Sequence, residues 1–396
     1  MRLEQIDIGD SNQIIFFSDI HFHEYKPFSK PTTDGIGSRF QWTLLAINTI
    51  FEYAIGKGIK HIFFLGDLFH QRTIMYSVVF DRVTECIEKA KASGLEIHAL
   101  LGNHDYIYNS DTSSSIVKRI RGLDVIEAPT LYSISGREER IGCMPFRFKT
   151  DKLKEDLQEL DRAVKDTMKW PAKPEHVDHL LLGHFEISGA AVHDEYVLNE
   201  VTAKEEFEGL VFKHIFSGHV HKRQILATNN GQVIEYIGTP LQHTFNNEGC
   251  PYGFVVYDFE GEVKSTHISL GDIADFPEFV TVEIRSQQDI KDTIKQKKDR
   301  FEVDYYRLRS YADDLKLETI FKKLPHYTFE YMGVETTQDN TESGTDDTLR
   351  FNLDIGRYLK LFAEQEAGSQ TLEWLDVNKL LEYLTKVSTK GNICLG

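Results

Sequence analysis

Five short apolar runs in the first 221 residues share one feature, because each is followed at once by a cluster of polar side chains. Short, continuous apolar runs are typical of strands that are buried on both faces. The runs occupy residues 14–17, 62–65, 95–101, 179–182 and 214–217.

Helical periodicity fills the gaps between the first three runs. Apolar side chains recur at helical spacing over residues 40–55, with Gly56 and Gly58 as stop signals, and a second helix is predicted over residues 78–93, before Gly94. Strand, helix, strand, helix, strand predicts a parallel sheet with right-handed crossovers. Such sheets bind ligands beyond the carboxyl ends of their strands, which is where the polar clusters stand.

Two later apolar segments, residues 233–237 and 253–257, flank a Gly-Thr-Pro turn. We expect them to be antiparallel strands of a second sheet. Residues 131–134 and 141–144 predict a hairpin around Gly136. The predicted fold class is therefore α/β.

The character of the sequence changes twice after the predicted core, residues 1–270. Residues 271–334 alternate strand and helix patterns and predict a small α+β domain, whose last helix is expected at residues 313–324. Residues 335–348 are acidic and nearly free of apolar side chains, which predicts a flexible linker. Residues 349–396 carry two amphipathic helical patterns.

Composition narrows the function classes. The net charge of −17 argues against nonspecific nucleic-acid binding, which needs Lys and Arg, although bound metal ions would neutralise part of it. The four cysteines form no Cys-x-x-Cys pair, so we expect reduced thiols and no zinc–thiolate site. The sequence shows no signal peptide and no apolar stretch near the ~20 residues of a membrane span. We expect a soluble cytoplasmic protein, in the host cytoplasm if a phage encodes it.

The polar clusters combine oxygen and nitrogen ligands and contain no sulfur. They supply Asp19, His21, Asp67, Asn103, His104, His184, His219 and His221. Such a set suits Mn²⁺, Fe or Zn²⁺. Because eight candidates exceed the needs of one ion, two ions that share a bridging carboxylate fit better, and Asp67 is the natural bridge. An imidazole outside the ligand set can protonate a leaving alkoxide.

Other candidate residues have ordinary interpretations. Most remaining histidines are expected at the surface or in the core, namely His61, His98, His176, His179, His193, His214, His243, His267 and His326. Arg147, which follows the predicted hairpin, is expected either to contact phosphate or to lie on the surface. Chance is a poor explanation for five polar clusters in order, each closing a buried run.

Together these motifs resemble the calcineurin-like metallophosphoesterase superfamily. The matching motifs are Asp19-x-His21, Gly66-Asp67, Gly102-Asn103-His104-Asp105, Gly183-His184 and Gly218-His219-x-His221. The resemblance implies a two-sheet α/β/β/α sandwich with two divalent metal ions at its edge, for which we expect Mn²⁺.

The resemblance also implies roles for the matched residues. One ion would be held by Asp19, His21, Asp67 and His221, and the other by Asp67, Asn103, His184 and His219. His104 would be the leaving-group acid or a transition-state contact, and Asp105 would orient it.

Further segments resemble the SbcD-type subunits of DNA double-strand-break repair nucleases, including phage recombination endonucleases. The form Gly-Asp-Leu-Phe-His at residues 66–70 is used by that branch, which makes His70 a second catalytic histidine. The layout after the core implies a capping domain that helps to select DNA and C-terminal helices that dock on an SbcC-type coiled-coil ATPase. The branch also implies a homodimer. His23 and Thr239 depart from its usual pattern.

These observations favour a dimetal DNA exo/endonuclease for DNA end processing, repair or recombination, acting with the ATPase. A small-substrate phosphoesterase, acting on a phosphoprotein or cyclic nucleotide, is the alternative that the acidic charge favours and the C-terminal third disfavours. A non-catalytic scaffold of the same fold is a third hypothesis, but scaffolds usually lose metal ligands and all are present. The C-terminal helices have a second interpretation, in which they pack on the cap of their own chain.

Overall fold

The computed structural model describes residues 1–168, 173–193, 196–199, 201–312 and 315–332. The helices are α1 (Ser38–Lys57), α2 (Ser77–Ala92), α3 (Thr150–Thr167), α4 (Gln287–Lys297) and α5 (Glu318–Phe321). The strands are β1 (Arg2–Ile6), β2 (Gln13–Phe17), β3 (His61–Phe64), β4 (Glu96–Leu100), β5 (Leu123–Ile126), β6 (Thr130–Ile134), β7 (Arg140–Met144), β8 (His179–His184), β9 (Ala191–His193), β10 (Tyr196–Val197), β11 (Phe212–Gly218), β12 (Gln224–Ala227), β13 (Val233–Tyr236), β14 (Gly253–Asp258), β15 (Ser265–Ser269), β16 (Phe279–Ile284), β17 (Tyr305–Ser310) and β18 (Tyr327–Tyr331).

Two sheets form the core. The first has the order β15-β14-β2-β3-β4-β5, with β2 to β5 parallel and β14 antiparallel to β2. The second has the order β1-β6-β7-β8-β11-β13-β12, and β7, β8, β11 and β13 are parallel in it. The β2-α1-β3-α2-β4 path confirms the predicted parallel crossovers, and β6 and β7 form the predicted hairpin.

Three apolar layers hold the sandwich together. Between the sheets, Phe16 packs on Phe216 with ring centroids 4.7 Å apart. Ile47 of α1 and Ile87 of α2 cover the outer face of the first sheet, while Leu160 of α3 covers the second. Because central strands such as β2, β3 and β8 are buried on both faces, they need apolar side chains on both sides, which explains the continuous apolar runs. The α/β/β/α architecture is the predicted one.

The partners of two later strands differ from the prediction. Residues 233–237 and 253–257 do contain strands, but β13 pairs with β11 in the second sheet and β14 pairs with β2 in the first. Ile234, Phe254 and Val255 are all buried. A segment that is apolar on both faces lacks the alternation that specifies a partner and a face, so the sequence could not choose between the sheets.

A third sheet follows the core. Strands β16, β17 and β18 are parallel, and α4 packs on them through Ile290. The helix predicted over residues 313–324 is shorter, because Leu315 and Leu317 pack into the small core from an irregular segment before α5. This sheet and the sandwich belong to one compact unit, Met1–Glu335.

The predicted linker, residues 335–348, and the predicted C-terminal helices, residues 349–396, lie outside the described residues. Within the described residues, no helix combines the length and the apolar composition that crossing a bilayer requires.

Candidate dimetal active site

The carboxyl ends of both sheets meet at one edge of the sandwich. Asp19 and Asp67 follow β2 and β3, and Asn103 follows β4 in the same sheet. His184 ends β8 and His219 follows β11 in the other sheet. Because both sets of parallel strands end at this edge, the predicted ligands come together there, and most of them line one pocket of about 290 Å³, namely His21, Asp67, Asn103, His219 and His221.

One group of predicted ligands lies on one side of Asp67. The Nε2 atoms of His21 and His221 face each other at 3.0 Å. The Oδ1 atom of Asp19 lies 3.9 Å from each of these nitrogens. The Oδ2 atom of Asp67 lies 3.7 Å from His21 Nε2.

The second group lies on the other side. The Oδ1 atom of Asn103 is 3.1 Å from His184 Nε2 and 3.0 Å from His219 Nδ1. The Oδ1 atom of Asp67 is 3.6 Å from His184 Nε2. The Asp67 carboxylate therefore presents one oxygen to each group, which is the arrangement that a shared ligand requires.

The backbone at this edge is strained. Asp19, His21, Asp67 and His219 have φ angles of 55°, 49°, 61° and 88°, in the left-handed region that side chains other than glycine rarely adopt. Four of the six such non-glycine residues in the described structure are thus predicted metal ligands. Backbone strain of this kind persists where the surrounding structure enforces it, and it clusters at functional sites.

Two glycines allow the strand ends to approach each other. A Cβ atom on Gly102 would clash with the backbone and carboxylate of Asp67. Gly66 has a φ angle of 99°, and a Cβ there would lie 2.8 Å from the backbone of Gly102. The Gly-Asp and Gly-Asn-His-Asp motifs therefore need their glycines for packing between neighbouring strand ends.

A family model of the calcineurin-like phosphoesterases matches residues 13–223, just over half of the chain. The chain belongs to this family. The matched region contains every predicted metal ligand and the predicted acid His104, and the fold and the convergent strand ends agree with it.

The individual proteins to which this chain is similar share little sequence identity with it. Exonuclease subunit 1 of Enterobacteria phage T4 is 23% identical over 220 residues, which are 54% of this chain and 58% of that protein, so the chain spans less than two thirds of that relative. A dimetal phosphatase from Danio rerio is 12% identical, with 65% of this chain and 98% of that chain covered and a TM-score of 0.41. GAP50, described as the anchor in the inner membrane complex of Plasmodium, is 10% identical, with 65% and 88% covered and a TM-score of 0.37. These structural scores add no argument about this chain.

The predicted ligands have the burial and the charge expected of a site for divalent cations. Asp19 and Asp67 are buried, and the ion pairs they form within the described structure are with histidines alone. Burial raises the pKa of Asp67 to about 7 and that of Asp19 well above its usual value, while it lowers the pKa of His21 and His184. Buried carboxylates of this kind need a compensating positive charge. The buried Nδ1 of His21 also has no hydrogen-bond partner.

Hydrogen bonds outside the ligand groups fix two imidazole rings. His184 Nδ1 lies 2.7 Å from the Leu65 carbonyl oxygen and donates to it, so its Nε2 lone pair faces Asn103 and Asp67. His219 Nε2 lies 3.2 Å from the Glu186 carboxylate, which leaves Nδ1 toward Asn103. Sequence reasoning missed Glu186 as a functional residue, although it stands two residues after His184.

The ring of His104, the predicted acid, is not oriented by the residue that we expected. The Asp105 carboxylate accepts hydrogen bonds from the backbone N–H groups of Gly102, Asp67 and Leu68 at 2.9, 2.8 and 3.0 Å. The expectation that Asp105 orients the His104 ring is therefore wrong, because this carboxylate ties two strand ends together. The ring is oriented by its own Nδ1, which donates to the His70 carbonyl oxygen at 2.7 Å.

His70, predicted as a second catalytic histidine, lies beside His104. Its ring lies nearly parallel to that of His104, at an angle of 21° and with centroids 5.9 Å apart, and it is 5.6 Å from His21. His23, whose place was open, lies next to His70 at 5.3 Å. His104 and His70 both line the pocket.

His243 was expected to be an ordinary histidine, and this expectation is wrong. Its Nε2 lies 2.8 Å from the backbone oxygen of Asp19, and its ring centroid lies 5.4 Å from those of His21 and His221. It also lines the pocket. The available signal was the Gly-Thr-Pro turn at residues 238–240, which ends three residues before His243.

Proposed function

We propose that this chain is a metal-dependent nuclease that hydrolyses phosphodiester bonds in DNA. The observation that carries the proposal is the pocket in which two ligand groups share Asp67 while His104 stands free beside them. The sequence similarity to a phage exonuclease subunit supports a nucleic acid as the substrate, and we propose DNA. We propose Mn²⁺ as the metal, because the oxygen and imidazole ligands accept it and the family resemblance favours it over Fe and Zn²⁺.

Seven side chains would hold two cations in this proposal. The first group is Asp19, His21, Asp67 and His221, and the second is Asp67, Asn103, His184 and His219. When bound, the cations supply positive charge for the phosphoryl oxygens and make a water molecule acidic enough to serve as the nucleophile near neutral pH.

His104 would handle the proton of the leaving group. Its Nδ1 is committed to the His70 carbonyl oxygen, so Nε2 is the nitrogen that can hold a proton beside the departing sugar oxygen. The His70 ring lies beside this ring and nearly parallel to it. Asp105 contributes indirectly by fixing the strand ends that carry Asp67 and His104.

The biological setting is a further part of the proposal. By family resemblance, the enzyme would process DNA ends in repair or recombination, as a homodimer with an SbcC-type ATPase that docks on residues 349–396. Co-purification of such an ATPase with the full chain, and its loss when residues 349–396 are removed, would support this part. Equal retention by both forms would contradict it.

The substrate class can be tested on the full chain loaded with Mn²⁺. We expect cleavage of end-labelled single- or double-stranded DNA, and much slower turnover of a phosphopeptide and of a cyclic nucleotide. Asp67→Asn is the matched negative control for contaminating nucleases. Rapid turnover of the phosphopeptide or the cyclic nucleotide without cleavage of DNA would contradict the proposal.

A further inference from the structure

Arg39 is a buried cation in the first turn of α1. Only 8% of the residue is exposed. Its Nη2 donates to the His243 carbonyl oxygen at 2.6 Å and its Nη1 donates to the Pro27 carbonyl oxygen at 3.3 Å. The guanidinium lies over the Tyr25 ring, 4.3 Å from its centroid. These contacts hold the group in one orientation.

The charge of Arg39 is not neutralised by a carboxylate among the described residues. Arg147 provides the contrast, because it is also buried but forms an ion pair with the buried Asp156 at 2.6 Å. That ion pair also corrects the expectation that Arg147 would contact phosphate or lie on the surface. Two carbonyl oxygens occupy only part of the five-donor guanidinium of Arg39. An unpaired buried cation is costly unless an anion reaches it.

Arg39 lines the same pocket as the predicted catalytic residues. Tyr25, Pro27, Arg39 and Thr244 line this pocket together with Asp67, Asn103, His104 and three of the predicted ligand histidines, His21, His219 and His221. An anion bound at the metal-ligand groups would therefore have a second cationic contact within the same cavity.

We propose that Arg39 binds a phosphate of the substrate strand that neighbours the phosphate being hydrolysed. The guanidinium is held over the Tyr25 ring by two carbonyl hydrogen bonds, and its planar fork of donors matches the bidentate geometry of phosphate oxygens. This inference rests on the proposed nuclease function and adds the substrate class, which is a strand with consecutive phosphodiesters. A compound with a single phosphate would occupy the metal-ligand groups and leave Arg39 unused.

A structural role for Arg39 predicts different behaviour. The guanidinium also lies 5.4 Å from the ring of Phe279 and 5.6 Å from that of Tyr305, both in the third sheet. If Arg39 only joined this sheet to the sandwich, its replacement would lower the thermal stability and affect all substrates alike. Discrimination between substrates is therefore the decisive measurement.

The experiment compares Arg39→Gln, Arg39→Lys and a control, Arg121→Gln, in the full chain loaded with Mn²⁺. The Arg121 side chain is 80% exposed and paired with Glu88, so it reports on general loss of positive charge. The two substrates are a single-stranded oligodeoxynucleotide and bis(p-nitrophenyl) phosphate, which has one phosphodiester and no neighbouring phosphate. Melting temperature is recorded for each variant.

We expect Arg39→Gln to lower kcat/KM for the oligonucleotide by about 10- to 100-fold, mainly through KM, because a charged hydrogen-bonded contact is lost. Hydrolysis of bis(p-nitrophenyl) phosphate should change less than about twofold, since no neighbouring phosphate is present. Arg39→Lys should show a smaller loss on the oligonucleotide, because it keeps the charge but not the planar fork. It also serves as the readout if Arg39→Gln does not fold.

Binding gives an independent readout. With metal removed by EDTA, the slope of log K against log salt for the oligonucleotide should be shallower by about 0.7 in Arg39→Gln than in the wild type, which corresponds to one lost phosphate contact. The slope of Arg121→Gln should match that of the wild type.

Three results would overturn the inference. Equal losses on both substrates, accompanied by a lower melting temperature, would leave Arg39 as a structural bridge only. An unchanged kcat/KM for the oligonucleotide would remove it from substrate binding. A wild-type enzyme that hydrolyses bis(p-nitrophenyl) phosphate but no DNA would refute the nuclease function itself, and the Arg39 inference with it.

Discussion

Two buried histidine clusters lie at opposite ends of the first sheet. The carboxyl-end site contains His21, His184 and their neighbours, while the amino-end network contains His61 and His98, on β3 and β4, together with Asp124 on β5. The two clusters use the same residue types and similar burial, yet only one has the character of a reactive site.

The amino-end network satisfies its own polar atoms. His61 Nε2 lies 2.9 Å from the Asp7 carbonyl oxygen, and His61 Nδ1 lies 3.0 Å from His98 Nε2. His98 Nδ1 contacts the Asp124 carboxylate at 2.9 Å, and Arg2 pairs with the same carboxylate at 2.7 Å. Each ring nitrogen of His61 and His98 has a hydrogen-bond partner, and the positive charge of Arg2 balances the negative charge of Asp124. This network therefore has no unsatisfied group that would bind a ligand.

The carboxyl-end site is the opposite case. The Nε2 atoms of His21 and His221 face each other, two buried carboxylates lack a Lys or Arg ion-pair partner in the described structure, and four predicted ligands have left-handed backbones. The comparison teaches that histidine content and burial do not mark a site. Unsatisfied polar atoms and enforced strain do.

Asp67→Asn, in the carboxyl-end site, should have the largest effect on metal binding and DNA cleavage. Without the shared carboxylate, both cations should bind weakly and DNA cleavage should fall by about 10³-fold or more, since metal ions contribute several kcal/mol of transition-state stabilisation. The melting temperature without metal should not fall, because a buried carboxyl group is replaced by a neutral amide of the same shape. Retained cleavage with two bound ions would break the distinction that we draw.

His104→Ala should come next. Cleavage should fall by about 10²- to 10³-fold, the range of a single acid–base group, while both cations stay bound. Metal content after equilibrium dialysis, measured beside kcat, checks both halves of this prediction. Loss of one cation in this variant would show that His104 is a ligand and not the acid.

Glu186→Gln tests the hydrogen bond that holds His219. Weaker support of this ring should lower metal affinity by about 10- to 100-fold, with little change in the fold. Isothermal titration with Mn²⁺ measures the affinity directly, and Glu88→Gln, a distant surface change, is the control. Equal affinities in the two variants would assign Glu186 no part in the site.

The smallest effect is expected from Asp124→Asn in the amino-end network. Burial acts to raise the pKa of Asp124. Hydrogen bonds from His98, Arg2 and Tyr132 outweigh burial and hold this pKa well below its ordinary value. A lowered folded-state pKa stabilises the fold above the unfolded pKa of about 4, and this stabilisation is lost as the pH falls through the folded value. We expect a loss of about 1–2 kcal/mol at pH 7 that shrinks below pH ~4, with metal binding unchanged.

Urea unfolding of both proteins at several pH values measures this difference. If the difference in unfolding free energy between the wild type and Asp124→Asn became larger in acid, the predicted pH dependence would be wrong. A change in metal affinity in Asp124→Asn would show that the two clusters are coupled.

Much of the site could be predicted because the parallel arrangement of the strands determines which residues come together. Once the runs ending near Asp19, Asp67 and Asn103 are recognised as parallel strands, their carboxyl ends must lie side by side. Local sequence therefore carried the ligand set, and the two-sheet architecture followed from family resemblance.

The remainder depends on tertiary contacts that sequence patterns do not encode. His243 reaches the site only because β13 and β14 join different sheets and the chain between them crosses the pocket edge. Asp105 turns toward backbone amides because a short helical turn at Asn103–Asp105 redirects its carboxylate. Arg39 is buried beside Phe279 of the third sheet, a contact that no local sequence pattern encodes.

The most direct test of the central claim is anomalous diffraction from crystals of the full chain soaked in Mn²⁺. We predict two manganese peaks at the carboxyl-end site, both contacted by Asp67, one with Asp19, His21 and His221 and the other with Asn103, His184 and His219. A single peak, peaks at other residues, or His104 as a ligand would contradict the dimetal site proposed here.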